Sequence, residues 1–281
     1  MVFVSTECFR GTSTIAIIQD LIRYDIHAVE LSGGMYSETL KKDLWPYKEQ
    51  CCMQVHNYFP PPKEPFVLNL ASLDQDITAA SMDHIKKAMR WAIELDRPVY
   101  SFHAGYLFDP KPEELGTRIR NRAFCDREKC LNLFIERVND LASIAEEDGI
   151  RLLIENNVLS SGNYEEFGRD PFLMTTPWEA EWVMRNTSEN VNLLVDVAHL
   201  KVSARSLNFD SLVMFHRCDP WIHAYHLSDN DGLSDNNGVV REDSWFWPHI
   251  KHGLDYYSLE VCNISLQDMK RQLSLVEGKI A

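Results

Sequence analysis

The chain has 281 residues, 45% hydrophobic and 25% charged, the balance of an ordinary globular domain, which excludes disordered, collagen-like and coiled-coil readings. Acidic side chains outnumber basic ones 42 to 28, and a formal charge of −14 repels phosphate backbones and anionic lipid, so neither nucleic acid nor membrane is an expected partner. No apolar run approaches the roughly 18 residues of a membrane helix, and the first nine residues lack a signal-peptide pattern, so a cytoplasmic protein is expected.

A strand is expected at 2–9, followed by helical periodicity at 14–23 and a second strand at 27–32. The third strand, at 52–59, leads to a long helical pattern at 77–95, a fourth strand at 99–103 and a helix at 131–147. Strands at 152–156 and 193–197 flank a helix at 177–185. Strands at 222–227 and 258–261 complete the set, and the last helix, 266–276, opens on Ser265-x-x-Asp268, a capping-box-like start. Eight strands alternating with helices, with no linker and no low-complexity block, predict a single (β/α)8 barrel domain over residues 1–281.

Two stretches stand apart. Residues 228–257 are rich in Gly, Asp, Asn and aromatics without a helical pattern, and an insertion at 160–176 carries Tyr164, Phe167, Arg169 and Phe172. Both follow strands, which places them at the carboxyl ends where barrel active sites are built. The seven cysteines, odd in number and without a C-x-x-C pair, fit neither a disulfide framework nor a zinc knuckle and point to a reducing cytoplasm. Cys51 and Cys52 read as core residues.

Polar side chains gather at the carboxyl ends of the late strands. Strand five ends in Glu155-Asn156-Asn157, strand six in Asp196-Val-Ala-His199, strand seven in His226-Leu-Ser-Asp229 and strand eight in Glu260, while two earlier strands reach His56 and His103. In a barrel these converge on one mouth. Three carboxylates sharing a pocket repel unless a proton or cation sits among them, and oxygen and imidazole donors suit one divalent ion: Mn, Mg, Co or Zn.

With these fragments in order, the chain resembles the xylose isomerase-like barrels, particularly the sugar phosphate isomerases and epimerases, with class II apurinic endonucleases as relatives. The resemblance rests on His56 in His-Asn-Tyr-Phe-Pro-Pro, His103 in Phe-His-Ala-Gly, Glu155 in Ile-Glu-Asn-Asn, Asp196 and His199 in Asp-Val-Ala-His, His226 in His-Leu-Ser-Asp-Asn-Asp-Gly, and Glu260. It implies a divalent metal held by Glu155, Asp196, His226 and Glu260, with Glu155 and Glu260 also transferring protons. His103 and His199 would then hold substrate hydroxyls, with His56 further out. The expected activity is a metal-dependent isomerase or epimerase of a small sugar, sugar phosphate or polyol acting through an enediolate. A sugar dehydratase, an endonuclease-like phosphodiesterase and a non-catalytic ligand-binding barrel are the alternatives, and homo-oligomerisation is left open.

The chain departs from the family at two places. Asn237 stands where the endonucleases' Asp-x-His motif has its histidine, which removes a ligand for a third metal, and Gly232 stands where the epimerases carry an arginine. Trp245, Phe246 and Trp247 read as a cluster packing within its own loop, with a sugar-stacking lid or dimer contact as the other readings. Lys201 reads as solvated, and Arg118, Arg120, Arg122 and Arg127 as an ordinary helix surface.

Overall fold

The structure, a computed structural model, describes residues 1–9 and 11–281. Its strands are β1 (Val2–Ser5), β2 (Ala28–Leu31), β3 (Cys52–His56), β4 (Val99–His103), β5 (Arg151–Glu155), β6 (Val191–Asp196), β7 (Ile222–Leu227) and β8 (Tyr256–Leu259). They form a closed barrel in chain order, every pair parallel, with β8 returning to β1. The helices are α1 (Thr14–Arg23), α2 (Leu40–Leu44), α3 (Gln75–Glu94), α4 (Arg127–Glu147), α5 (Ser161–Phe167), α6 (Pro177–Arg185), α7 (Val197–Leu207), α8 (Leu212–Cys218) and α9 (Leu266–Ile280). The predicted barrel is therefore the observed one.

The differences lie at the element ends and have local causes. The first strand stops at Ser5 rather than residue 9, because the Ser5 hydroxyl accepts from the Glu7 amide and starts a 3-10 turn, Thr6–Cys8. The third stops at His56 because Asn57 takes a positive φ of 44°, which a strand cannot continue. Asp74 and Asp126 cap α3 and α4 ahead of their first apolar residues, so both helices start earlier than the apolar periodicity suggests. Four helices, α2, α5, α7 and α8, were not expected from the periodicity, and α5 lies inside the 160–176 insertion on a Ser160 cap. Within 228–257, among the described residues, the one helical element is a 3-10 turn, Trp247–His249.

Side-chain alternation gives the barrel interior two layers. At its base, Phe3, Leu153, Leu194, Ala224 and Tyr256 form an apolar cluster of their own, backed by Ala28, Cys52 and Val99. Two residues further along each strand the inward side chains turn polar: Ser5, Glu30, Gln54, Ser101, Glu155, Asp196, His226 and Ser258, all at 0% exposure. A buried carboxylate costs several kcal/mol unless compensated, so this layer is a functional expense and not a packing solution. The outer faces of the strands pack on the helices through Val4, Leu31, Tyr100, Ile154, Val195 and Tyr225, in the main core.

One expectation fails at the barrel's closing seam, where Cys8 and Cys262 form a disulfide across a sequence separation of 254. Only the pairing of β1 with β8 brings them together, so their spacing carried no signal. The bond pre-closes almost the whole chain, and Cys262→Ser is expected to lower the unfolding free energy by about 2–5 kcal/mol. Urea titration of the variant checks this; a midpoint equal to that of the oxidised parent would show the bond contributes no stability.

The arginine group also departs from its reading as a helix surface. Residues 118–126 are not helical, and Arg127, first in α4, is half-buried against Glu179 and Asp170 and donates to the carbonyl of Phe172. Arg118 and Arg122 pair with Glu166 and Glu114. Lys201 is paired rather than solvated, 2.6 Å from Asp229. The aromatic loop packs on itself as expected: Phe246 is fully buried between Trp245 and Trp247.

Candidate metal and proton-transfer site

Strand register sets the site. β4 and β5 place His103 beside Glu155, and β6 and β7 place Asp196 beside His226. Glu260 follows β8 directly, and its Oε1 accepts from Ser5 Oγ at 3.1 Å, which ties it across the seam. The amide of Asn156 brackets the backbone of Asp196, accepting from its N–H at 2.9 Å and donating to its carbonyl at 3.2 Å. Asp196 then caps α7: its Oδ1 accepts from the His199 amide at 2.7 Å, which leaves Oδ2 to face the barrel axis.

Nδ1 of His226 lies 3.4 Å from Glu155 Oε1, 3.4 Å from Glu260 Oε1 and 3.9 Å from Asp196 Oδ2. Both oxygens of Glu155, Oδ2 of Asp196 and Nδ1 of His226 are buried without a hydrogen-bond partner. Native interiors rarely leave such atoms unpaired, and here they converge. Glu155, Asp196 and His226 each offer a donor atom within 4.8 Å of the others, and so do His56, His103 and Glu155. The donor set of carboxylate and imidazole fits a divalent ion.

The electrostatics describe the same crowding. Burial alone would raise Glu155, yet His103, His226 and His56 hold it well below the usual carboxylate range. Burial pushes Asp196 up to about 7, with Glu155, Asp235 and Glu260 adding to the effect against His199. Burial opposes a charge on His226, but Glu260, Glu30 and Glu155 outweigh it and raise the imidazole well above its ordinary value. Protons thus occupy the cluster where a cation would otherwise balance it.

The remaining histidines take different positions. His56 is not further out: it is 2% exposed, with Nε2 3.4 Å from Glu155 Oε2 and its ring 4.7 Å from that of His226. The His103 side chain makes no hydrogen bond among the described residues, and at 26% exposure it is the most open of the site histidines. Burial lowers it to about 4, so it is neutral at physiological pH. His199 has both ring nitrogens engaged, Nδ1 by the Asn156 carbonyl at 3.0 Å and Nε2 by Asp235 at 3.1 Å. Asn237 is tied to Ser228 through its amide oxygen and to the Cys262 amide through its carbonyl.

The xylose isomerase-like TIM barrel family matches residues 20–267. The chain belongs to that family. It is similar to the crystal structure of a D-tagatose 3-epimerase-like protein, at 20% identity and a TM-score of 0.70, over 100% of this chain and 99% of that one. It is also similar to D-psicose 3-epimerase from Clostridium cellulolyticum H10, solved with D-tagatose, at 12% identity and a TM-score of 0.68, covering 99% and 97% of the two chains. A xylose isomerase-like TIM barrel protein from Mycobacterium smegmatis, solved with magnesium, matches at 13% identity and 0.68, over 100% and 97%. At such identities the likeness is one of fold.

Within this xylose isomerase-like barrel, the buried polar residues that the strand-end pattern does not reveal include Glu30, Ser101 and Tyr256. Glu30 accepts from His226 Nε2 at 2.9 Å and from the Tyr256 hydroxyl, and the two histidines His226 and His56 hold it down to about 2 against the effect of burial. Its signal was legible. A carboxylate between Val29 and Leu31, inside a strand of a parallel sheet where both faces are buried, has no bland explanation.

Proposed function

We propose that the protein is a divalent-metal-dependent epimerase or isomerase of a small carbohydrate. The observation that carries this reading is the convergence of four partnerless buried donor atoms, from Glu155, Asp196 and His226, beside Glu260. Glu155, Asp196, His226 and Glu260 would hold the ion, which when bound supplies positive charge to offset the negative charge developing on substrate oxygens. Glu155 and Glu260, from strands three places apart, serve as the proton-transfer pair: one takes the proton from the carbon next to the carbonyl and the other returns it. Glu155 is suited to begin as the base because its histidine neighbours keep it ionised. His103, neutral and with a free ring nitrogen, binds a substrate hydroxyl; His199 supports Asp196 and, on rotation of Asp235, adds a second contact. The sugar epimerases among similar folds favour this chemistry over phosphodiester hydrolysis, as does Asn237 in place of a metal-binding histidine.

The test is NMR-monitored incubation with ketopentoses and ketohexoses, free and phosphorylated, in the presence of Mn, Mg, Co or Zn. Conversion to an epimer or aldose isomer that stops on chelation is the expected result. A dehydrated product would replace this reading with a lyase, and efficient metal-dependent nicking of abasic duplex DNA would replace it with a nuclease.

A further inference from the structure

A chain of buried hydrogen bonds runs behind the site, and its donors and acceptors can be assigned one proton at a time. Glu30, at 0% exposure on β2, accepts from His226 Nε2 at 2.9 Å and from the hydroxyl of Tyr256, both on Oε2. A carboxylate has no proton to give, so the single hydroxyl proton of Tyr256 is spent on Glu30. The Tyr256 oxygen, 3.0 Å from Ser101 Oγ, must therefore accept from it. That spends the one proton of Ser101, which leaves its oxygen to accept from His56 Nδ1 at 2.8 Å. The direction of every link follows from the acceptor-only end.

We propose that Glu30 is a positioning residue that fixes which nitrogen of two site histidines keeps its proton, directly for His226 and through Tyr256 and Ser101 for His56. Each ring keeps a proton on its Glu30 side, so Nδ1 of His226 and Nε2 of His56 are the nitrogens turned toward Glu155, at 3.4 Å each. Four strands contribute to the chain's outer path: β2 supplies Glu30, β8 Tyr256, β4 Ser101 and β3 His56. None of these groups is accessible to solvent beyond 2% exposure, so bulk water cannot replace a missing link. Hydrogen bonds of this kind, behind a ligating imidazole, fix its orientation and raise its basicity. The alternative, a set of buried polar residues that merely pack, would leave the proton positions unspecified.

The consequence for metal binding rests on the metal-site reading above, whereas the proton positions do not. Two measurements separate them. Long-range 1H–15N correlation spectra of histidine-labelled protein should show a proton on His56 Nδ1 and on His226 Nε2 both metal-free and zinc-loaded, with Nδ1 of His226 the nitrogen that loses its proton when zinc binds. Glu30→Gln removes the negative charge and leaves an amide that can donate as well as accept, so the His226 Nε2 proton should lose its fixed place, its signal shifting or broadening, and zinc binding should weaken about 10- to 100-fold. Tyr256→Phe cuts only the second branch: the His226 signal should persist while His56 averages between tautomers. A wild-type His56 protonated at Nε2, or a Glu30→Gln variant that keeps both the His226 signal and wild-type zinc affinity, would overturn the proposal. Failure of Glu30→Gln to fold leaves the wild-type and Tyr256→Phe spectra to decide it. Wild-type protein that binds no zinc, with both proton signals in place, would overturn the metal reading and leave the hydrogen-bond directions from Glu30 standing.

Discussion

Replacing Glu155 or Glu260 with Gln is expected to slow exchange of the substrate's α-proton by about 10²- to 10⁴-fold, the usual contribution of a positioned general base. Gln keeps the shape of the side chain and removes the basic oxygen. Deuterium wash-in from heavy water, read by mass spectrometry on the substrate identified by the sugar panel, follows the step itself. Both glutamates would also be metal ligands, so bound metal is measured on the same samples. A variant that retains its ion but loses exchange isolates the proton-transfer role, and wild-type exchange in both variants would remove it. The fold should persist, because Gln fills the same space as Glu, its amide oxygen can still accept from Ser5 at position 260, and the polar layer sits on a separate apolar base. A melting temperature within a few degrees of the parent's, in metal-free protein, checks this.

How much of this could be read beforehand depended on whether a residue's role was local or set by closure of the barrel. The strand-end carboxylates and histidines were legible because a parallel barrel sends every carboxyl end to one mouth, whatever the loops do. The position of His56 was not: its burial under the site follows from the Ser101 contact, which exists only after β3 pairs with β4. Engagement of both His199 nitrogens needed the loop carrying Asp235, a stretch with no periodicity to read. The Cys8–Cys262 bond likewise depended on the pairing of the first and last strands. Glu30 differs from these. Its strand and its charge are both plain in the sequence, but Glu30 precedes the strand's end and so lies outside the strand-end pattern.

One tightly bound divalent ion per chain is expected, with an affinity that weakens as the pH falls below about 7. Asp196, raised to about 7, and His226, raised well above the ordinary imidazole value, must each give up a proton before they can act as ligands. Each proton displaced costs up to tenfold in affinity per pH unit, so the slope below pH 7 should lie between one and two protons. The same groups make a signed prediction for stability. A group whose folded pKa is raised stabilises the fold at low pH and loses that contribution as the pH rises through the folded value. For Asp196 the window runs from 3.8 to about 7, and for His226 it begins at 6.5. Metal-free protein should therefore lose stability from Asp196 as the pH rises from about 4 to about 7, and from His226 as it rises above 6.5. Loaded protein, where the ion replaces those protons, should not. Glu155 and Glu30, held low, stay ionised throughout and leave the slope unchanged. The gap in melting temperature between loaded and stripped protein should accordingly widen over that range, and elemental analysis should give one ion per chain, lost in His226→Ala. A pH-independent gap would show that protons and metal do not compete for this cluster, and three ions in the wild type would mean that the His199 and Asp235 pair opens to take one.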